Sequence, residues 1–440
     1  MHSKAGAIQV VVLVLLALLP TAGHAQLVYA RLTTSITDQQ FAAGAQAPSI
    51  SPDGRYVALV SSSANIGPAA NGSFNVYRYD LVLDEYVLAM EVLGSGNSSA
   101  PSISADGLAV AFESLADNIA PGTPSGVADL FYSGAFDAGG GAVGFTTVQV
   151  SKGLAGAPNG ESRYASVSAD GRWVAFHSAA SNLIVGDTNS APDIFVGDAL
   201  GGFAGAPERI SVDDGEAQIA GPSRALSPSA ISSDGRLVAF SVDTPVSIDG
   251  SNAGTLEDVF VRDRTAGTTR LVSKASNGSA GNSSSDQAAI SPNGRFVAFR
   301  SFSSNLVVAS SGSRIYVRDL QLGTTTNMPL PPGAENCEDP RVSDTADLVV
   351  QCNMTSPVAQ QAILYRASQG GGLFLLSTST GFDNGNGTSG NFSGISADGN
   401  LMVFDSAASD LVANDSNAAT DVFIAVDLVF LNAVFADGFE

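Results

Sequence analysis

Two loops of this sequence carry oxygen-bearing side chains at one shared spacing, Asp-x-Asn-x-x-x-Asp, which could hold a metal ion. The residues are Asp187, Asn189 and Asp193 in the first loop, and Asp415, Asn417 and Asp421 in the second. Carboxylate and amide oxygens are the ligands that Ca²⁺ prefers. Asp and Asn also cap turns, and neither loop supplies the chelating Glu of common calcium loops. Turn capping is therefore the main interpretation and Ca²⁺ the alternative, so we expect no cofactor.

A second set of candidates recurs directly after an aromatic or large apolar residue. Its members are Val60, Glu113, His177, Ser241, Arg300, Cys352 and Asp405. Four of them, Glu113, His177, Arg300 and Asp405, carry ionisable groups other than a thiol. If the chain closes into a ring, these four would line a polar channel mouth and form a binding site. The alternative is that each points between neighbouring units and pairs locally.

Catalytic motifs are scarce in this chain. His177 is the only histidine after residue 25, so a Ser-His-Asp triad would depend on it alone, and the sequence contains no Gly-x-Ser-x-Gly elbow. It also has no His or Cys cluster of the kind that binds zinc. Acidic residues are plentiful, which leaves open carboxylate chemistry on a polysaccharide.

The two cysteines, Cys337 and Cys352, lie at equal distances from a turn centred between Asp344 and Thr345. Equal distances place them opposite each other on paired antiparallel strands. An oxidising compartment would then join them in a disulfide, the alternative being two buried thiols.

The first 25 residues have the pattern of a secretory signal peptide. Lys4 precedes a short apolar run over Val10–Leu19, and Gly23-His24-Ala25 offers small residues at the cleavage positions. The run is short for a bilayer span, so we expect cleavage, a periplasmic or secreted protein and no membrane span afterwards. Removing Lys4 leaves 19 basic against 42 acidic side chains, a formal charge of −23. This charge argues against nucleic acid as a partner.

A repeated strand–turn–strand unit in the sequence must position these candidate residues. A small apolar strand, Ser-x-Asp-Gly and a second strand recur along the chain, with turn residues at Asp53, Asp106, Asp170, Asp234, Asn293, Thr345 and Asp398. The spacing of 52 to 64 residues gives room for four strands per unit. Ser and Asp bond nearby amides, and Gly accepts the positive φ of a tight turn. In the sixth copy, Thr345-Ala346 replaces Asp-Gly.

We therefore predict an all-β, seven-bladed β-propeller of four-stranded antiparallel blades over residues 26–428, between a signal peptide (1–25) and a C-terminal tail (429–440). The last unit lacks a clear fourth strand, whereas the N-terminus carries an orphan one at Tyr29–Ser35. We expect this strand to close the ring, because closure removes two exposed sheet edges. The competing candidate for that position is Val429–Phe435.

Ser51-Pro-Asp-Gly54, and the dipeptide Ala239-Phe240 in a strand that follows such a turn, resemble the WD40-like or TolB-like β-propeller repeat. The resemblance implies the fold and leaves the function open. Long loops share the face opposite the tight turns, so we place binding there. We predict an exported, monomeric, non-catalytic protein that binds a protein or glycan of the cell envelope. The alternative is a polysaccharide lyase or hydrolase that uses carboxylates.

Overall fold

The computed structural model describes residues 27–34, 39–66, 71–120, 127–139, 142–224, 230–243, 256–308, 312–355, 360–380 and 384–427. The predicted signal peptide, the C-terminal tail and the competing strand Val429–Phe435 lie outside these ranges. Within them, the strands form seven four-stranded antiparallel sheets, and no helix is long and apolar enough to cross a membrane. The predicted seven-bladed β-propeller is confirmed.

Each blade uses four strands, and the first strand lies nearest the ring axis. Blades 1 and 2 contain β2 (Gln46–Ile50), β3 (Tyr56–Ser61), β4 (Asn75–Asp80), β5 (Glu85–Leu88), β6 (Ser98–Ile103), β7 (Ala109–Ser114), β8 (Asp129–Gly139) and β9 (Ala142–Gln149). Blades 3 and 4 contain β10 (Ser162–Val167), β11 (Trp173–Ser178), β12 (Asp193–Asp198), β13 (Glu208–Arg209), β14 (Ser223–Arg224), β15 (Leu237–Val242), β16 (Asp258–Asp263) and β17 (Thr268–Leu271). Blades 5 and 6 contain β18 (Ser285–Ile290), β19 (Phe296–Ser301), β20 (Arg314–Asp319), β21 (Thr324–Asn327), β22 (Ala334–Val342), β23 (Leu348–Met354), β24 (Gln360–Arg366) and β25 (Gly372–Leu375).

Blade 7 is shared between the two ends of the chain. It contains β26 (Ser389–Ile395), β27 (Leu401–Ser406), β28 (Asp421–Asp427) and the N-terminal strand β1 (Leu27–Arg31). The register runs from Leu27 opposite Asp427 to Arg31 opposite Phe423. The predicted closure of the ring by the N-terminal strand is therefore confirmed.

The hydrophobic core lies between successive blades. On the second and third strands, one buried aromatic faces another at ring-centroid distances of 5.6 to 6.1 Å. These pairs are Phe112–Phe131, Phe176–Phe195, Phe240–Phe260, Phe299–Tyr316 and Phe404–Phe423. The alternate face of the second strand presents a buried alanine, such as Ala111 or Ala175. Large residues on one blade therefore meet small residues on the next, which is what close stacking needs.

The tight Ser-x-Asp-Gly turns follow the chemistry expected from their residues. In the first turn, the Ser51 hydroxyl donates to Asp53 over 2.5 Å, and Asp53 also accepts the Arg55 amide at 3.1 Å. Gly54 has a φ of +79°, a region that costs any residue with a Cβ. The same serine-to-carboxylate or carboxamide bond occurs in the turns of blades 2, 3, 4, 5 and 7.

Successive tight turns are also tied to each other. The second turn residue donates its backbone N–H to the carbonyl of its counterpart in the next blade at 2.7 to 3.0 Å. The bonds are Ala105 to Ala169, Ala169 to Ser233, Ser233 to Pro292, Asp344 to Ala397 and Ala397 to Pro52. The series breaks after Pro292 and after Pro52, because proline has no N–H to donate. We call this set of five bonds the turn girdle.

Blade 6 departs from the pattern in two ways. Ala346 occupies the glycine position with a φ of +64°. Asp347 replaces the arginine that follows the turn in blades 1, 3, 4 and 5, and the fully buried Arg366 of the third strand binds it at 3.1 Å. Blade 1, by comparison, pairs Arg55 of the turn with Asp80 of the third strand at 2.8 Å. The ion pair between turn and third strand is thus kept in blade 6 with its charges exchanged.

The predicted disulfide is present in this same blade. Cys337 and Cys352 face each other across β22 and β23 and are joined through their sulfur atoms. In blade 2, the third and fourth strands, β8 and β9, form a long hairpin from Asp129 to Gln149.

Candidate functional site

The antiparallel order of the strands places the loops between second and third strands, and the connections between blades, on the face opposite the tight turns. We call this the long-loop face. A repeated asparagine fixes its loops to one another. The Asn65 amide donates to the Gln40 carbonyl at 2.9 Å, and its Oδ1 accepts the Ala42 amide at 3.1 Å. The loop between β3 and β4 is thereby bound to the connection that precedes blade 1.

This asparagine tie recurs around the ring and was not predicted from the sequence. Equivalent side-chain contacts are made by Asn118, Asn182 and Asn305, and in part by Asp410. Each of the five residues lies four positions after the serine that ends the second strand, and each is followed by a buried Ile or Leu. That repeated Ser-x-x-x-Asn-Ile/Leu pattern is the signal that would have found it. In these five blades, the loops of the long-loop face are therefore held by side-chain hydrogen bonds.

The first Asp-x-Asn-x-x-x-Asp loop holds its two carboxylates together around residues of the fourth strand and the following connection. Gln218 donates from Nε2 to Asp187 at 2.7 Å and to Asp193 at 2.8 Å. The Arg209 guanidinium lies 3.6 Å from Asp187 and 3.5 Å from Asp193. Asn189 points away and donates to the Ile219 carbonyl at 2.9 Å. An arginine and a glutamine thus occupy the space between the two carboxylates.

The second loop repeats this arrangement at the closure of the ring. Gln40 donates from Nε2 to Asp415 at 2.6 Å and to Asp421 at 2.8 Å. The Arg31 guanidinium lies 3.7 Å from Asp415 and 4.0 Å from Asp421. Asn417 donates to a backbone carbonyl at 2.8 Å, as Asn189 does. We call the two arrangements the blade-3 clamp and the closure clamp.

The clamps bear on the two interpretations of these loops. Asn189 and Asn417 accept the amides of Ala191 and Ala419, both at 3.0 Å, which is the turn capping expected of them. Across the described ranges, no group of three or more His, Cys, Asp and Glu side chains is arranged to hold a metal. A calcium ion would have to displace a guanidinium and a side-chain amide from between the carboxylates of each clamp. Calcium binding stays the alternative prediction for these loops.

The four ionisable residues predicted at the channel mouth lie at different seams between blades. Glu113 is buried, and its carboxylate accepts the Tyr164 amide of blade 3 at 2.8 Å. The Arg163 guanidinium lies 3.5 Å away. Burial raises the pKa of Glu113 against these favourable contacts. Glu113 therefore fastens blade 2 to blade 3.

Asp405 and Arg300 act in the same way at two other seams. Asp405 accepts the Phe392 amide at 3.0 Å and the Ala47 amide of blade 1 at 3.3 Å, and burial raises its pKa to about 6. Arg300 pairs with Asp286 of its own blade at 2.5 Å and with Glu338 of blade 6 at 3.1 Å.

The contacts that Glu113 and Asp405 make across the seams have a common cause in the first strands. Six of them carry a residue with positive φ where the pairing with the second strand shifts register. These residues are Ala47, Ala100, Tyr164, Gln287, Asp339 and Gly390. A bulge of this kind turns its amide out of the sheet, where a side chain of the preceding blade can accept it. The Tyr164, Asp339 and Ala47 amides are used in this way.

His177 differs from the other three. It is 9% exposed, and neither ring nitrogen has a hydrogen-bond partner among the residues that the structure describes. Burial lowers its pKa to about 4, so the imidazole is neutral at physiological pH. The Tyr164 ring lies 6.3 Å away between centroids. A direct role of these four residues in ligand binding stays a prediction.

No family model and no curated protein matches this chain. Among solved structures, an acylaminoacyl peptidase in complex with Z-Gly-Gly-Phe-chloromethyl ketone is similar over 90% of this chain and 54% of its own, with 11% identity and a TM-score of 0.50. Oligogalacturonate lyase from Vibrio parahaemolyticus is similar over 92% of this chain and 98% of its own, with 12% identity and a TM-score of 0.49. TolB from Acinetobacter baumannii is similar over 74% of this chain and 64% of its own, with 14% identity and a TM-score of 0.41.

At these identities the likeness concerns the fold alone. The chain spans less than two thirds of the TolB structure and about half of the peptidase. The β-propeller fold indicated by the repeated Ser-x-Asp-Gly phrase is confirmed.

Proposed function

We propose that this chain is an exported, non-catalytic binding protein that holds a protein or glycan partner of the cell envelope on its long-loop face. The observation that carries the proposal is how the ionisable residues of the mouth are used. Glu113, Arg300 and Asp405 are engaged in contacts between blades. A general acid or base must be within reach of a substrate proton. Ionisable side chains that are already held in contacts between blades stabilise the scaffold, and they are poorly placed to exchange protons with a substrate.

The long-loop face also exposes apolar side chains that a partner could cover. Val185 is 86% exposed and Val308 is 96% exposed, both in loops between second and third strands. Leu115 and Phe302 occupy equivalent positions directly after the second strands of blades 2 and 5, at 54% and 45% exposure. Exposed apolar side chains on loops that are already held by hydrogen bonds favour association with a partner, because little conformational entropy is lost on binding.

The proposal is tested by comparing two double variants of the full exported chain. Leu115→Asp with Phe302→Asp alters the long-loop face, and Val82→Asp with Leu83→Asp alters exposed residues of the opposite face. Envelope proteins and glycans retained by the wild type are identified and then titrated as purified components. We expect at least a tenfold loss of affinity in the long-loop variant only, with unchanged melting temperatures. Equal affinity in all three proteins would contradict the proposed face.

The enzymatic alternative is tested separately. Wild-type protein is incubated with uronate-containing and neutral oligosaccharides, with and without added Ca²⁺ or Mn²⁺. Formation of an unsaturated product or of new reducing ends would overturn the non-catalytic proposal. Turnover that is lost in His177→Gln and Glu113→Gln would assign the chemistry to the mouth. Calorimetric titration with Ca²⁺ in the same series tests the two Asp-x-Asn-x-x-x-Asp loops.

A further inference from the structure

The ring axis contains one buried cation in a layer of small residues. The residue two positions before the serine of each tight turn is small in six blades and arginine in one. In blade order these residues are Ser49, Ser102, Ser166, Ala230, Ala289, Arg341 and Gly394. A cavity of about 70 Å³ lies at this level, with Arg341 and the hydroxyl-bearing Ser49, Ser102 and Ser166 in its wall. Arg341 is therefore the single exception in the layer.

Arg341 is buried, and its charge has no close counterion among the described residues. The residue is 5% exposed. Its Nη1 donates to the carbonyls of Asp339 at 3.4 Å and Pro340 at 3.0 Å, and its Nε has no hydrogen-bond partner in the part of the chain that the structure describes. No carboxylate in the described ranges lies within 4.0 Å of the guanidinium nitrogens, and the charge of Asp339 acts on the guanidinium from further away. A buried charge without a close partner is costly, and the fork of a guanidinium suits an oxyanion.

A second donor faces the same cavity. The Ser166 hydroxyl oxygen accepts the Ala230 amide at 3.0 Å and the Ile231 amide at 3.3 Å. Both lone pairs are thereby used, so the O–H remains to donate. The wall also contains aliphatic side chains, Ile50 and Ile103 among them, and a low local dielectric strengthens a charge-assisted bond.

The size and position of the cavity limit the ligand. With a volume of about 70 Å³, the cavity has room for a carboxylate or a tetrahedral oxyanion. Pro52, Ala169, Ser233 and Pro292 of the tight turns line its outer end, which places its entrance on the face opposite the long loops. We propose that the tight-turn end of the axis is a binding site for one small oxyanion, held by Arg341 and Ser166. This site is independent of the partner proposed for the long-loop face.

The test is calorimetric titration of the exported chain with inorganic phosphate and with acetate, at constant ionic strength kept with chloride. We expect one site per chain with a dissociation constant of about 1 mM or lower for phosphate or acetate. The melting temperature rises with the same ligands, because they bind the folded state.

Arg341→Ser places in blade 6 the residue that blades 1, 2 and 3 already have, and we expect it to weaken binding at least tenfold. Arg270→Ser removes an exposed arginine outside the cavity and leaves binding unchanged. Ser166→Ala keeps the buried charge of Arg341 and should weaken anion binding several-fold. This variant tests the site if Arg341→Ser does not fold. Absence of saturable binding by the wild type, or undiminished binding by folded Arg341→Ser, would refute the site. A lower melting temperature in Arg341→Ser without any anion effect on the wild type would assign Arg341 a structural role only. The long-loop variants bind phosphate as the wild type does, so the two proposals fail separately.

Discussion

Replacing Asp421 by asparagine should open the ring at its closure clamp. Asp421 is fully buried and accepts hydrogen bonds from the Thr33 hydroxyl at 2.5 Å and from Gln40 at 2.8 Å. Arg31 lies 4.0 Å away. The asparagine has the same shape, but it carries no charge and turns an N–H₂ toward one of the donors. The substitution therefore removes a counterion and one acceptor together.

The magnitude follows from that loss. Removing one member of a buried ion pair costs about 3–5 kcal/mol. Burial raises the pKa of Asp421, which means that desolvation already offsets part of its benefit, so we take the lower value of about 3 kcal/mol. With about 2.1 cal/mol/K per residue over roughly 400 folded residues, the melting temperature falls by about 4 °C. Calorimetry or thermal fluorimetry measures this change.

The chain supplies its own control in the blade-3 clamp. Asp193→Asn removes the equivalent contacts, to Ser211 at 2.6 Å and Gln218 at 2.8 Å, and should cost a similar free energy. Hydrogen–deuterium exchange separates the two variants. Amides of Leu27–Arg31 exchange faster in Asp421→Asn and are unchanged in Asp193→Asn. Unchanged exchange of this strand in Asp421→Asn, or equal acceleration in both variants, would refute the reasoning.

The remaining predictions concern the sixth turn, the disulfide and two buried titrating groups. Ala346→Gly relieves a positive φ and should stabilise the protein by about 1 kcal/mol, seen as a higher denaturant midpoint with unchanged slope. Replacing Cys337 and Cys352 together by serine opens a 15-residue loop and should cost about 3 kcal/mol, whereas a reductant should leave the double variant's melting temperature unchanged. Asp405 has a folded pKa of about 6, above its unfolded value of 3.8. Its contribution to the free energy of unfolding is therefore present below pH 4 and is lost as the pH rises to 6, by up to about 3 kcal/mol. The Asp405→Asn variant should lack this pH dependence. His177 has a folded pKa of about 4, below its usual value, so its imidazole resonance should not shift between pH 5 and 7, and a midpoint near 6.5 would show that the ring is accessible to water.

The sequence predicted the repeat-based features of this fold well. Each Ser-x-Asp-Gly phrase marks a tight turn whose bonds are local, so its residues identify it directly. The orphan strand at the N-terminus identified the closure, because the last repeat lacked the fourth strand that this segment supplies. The cysteines were paired correctly because both are counted from the same turn.

The candidate site was less predictable because its contacts join residues from different blades. The Asp-x-Asn-x-x-x-Asp spacing identified Asp187 and Asp193 as neighbours but not the Arg209 and Gln218 that lie between them. Those residues come from the next strand and connection. The spacing from Arg31 to Gln40 equals that from Arg209 to Gln218, so this signal was present in the sequence but became meaningful only with the fold.

The two prolines of the turn girdle separate the seven blades into a group of four and a group of three. Blades 2 to 5 form one uninterrupted series, and blades 6, 7 and 1 form the other. The Asn293 amide bridges the gap between blades 5 and 6 by donating to the Asp344 carboxylate at 2.7 Å, whereas no backbone bond joins the described turns of blades 1 and 2. Among the described tight turns, the junction without a turn-to-turn bond is therefore one blade away from the point where the chain ends meet. A circular permutant cut between blades 1 and 2, with the natural ends linked, would sacrifice no bond of the girdle.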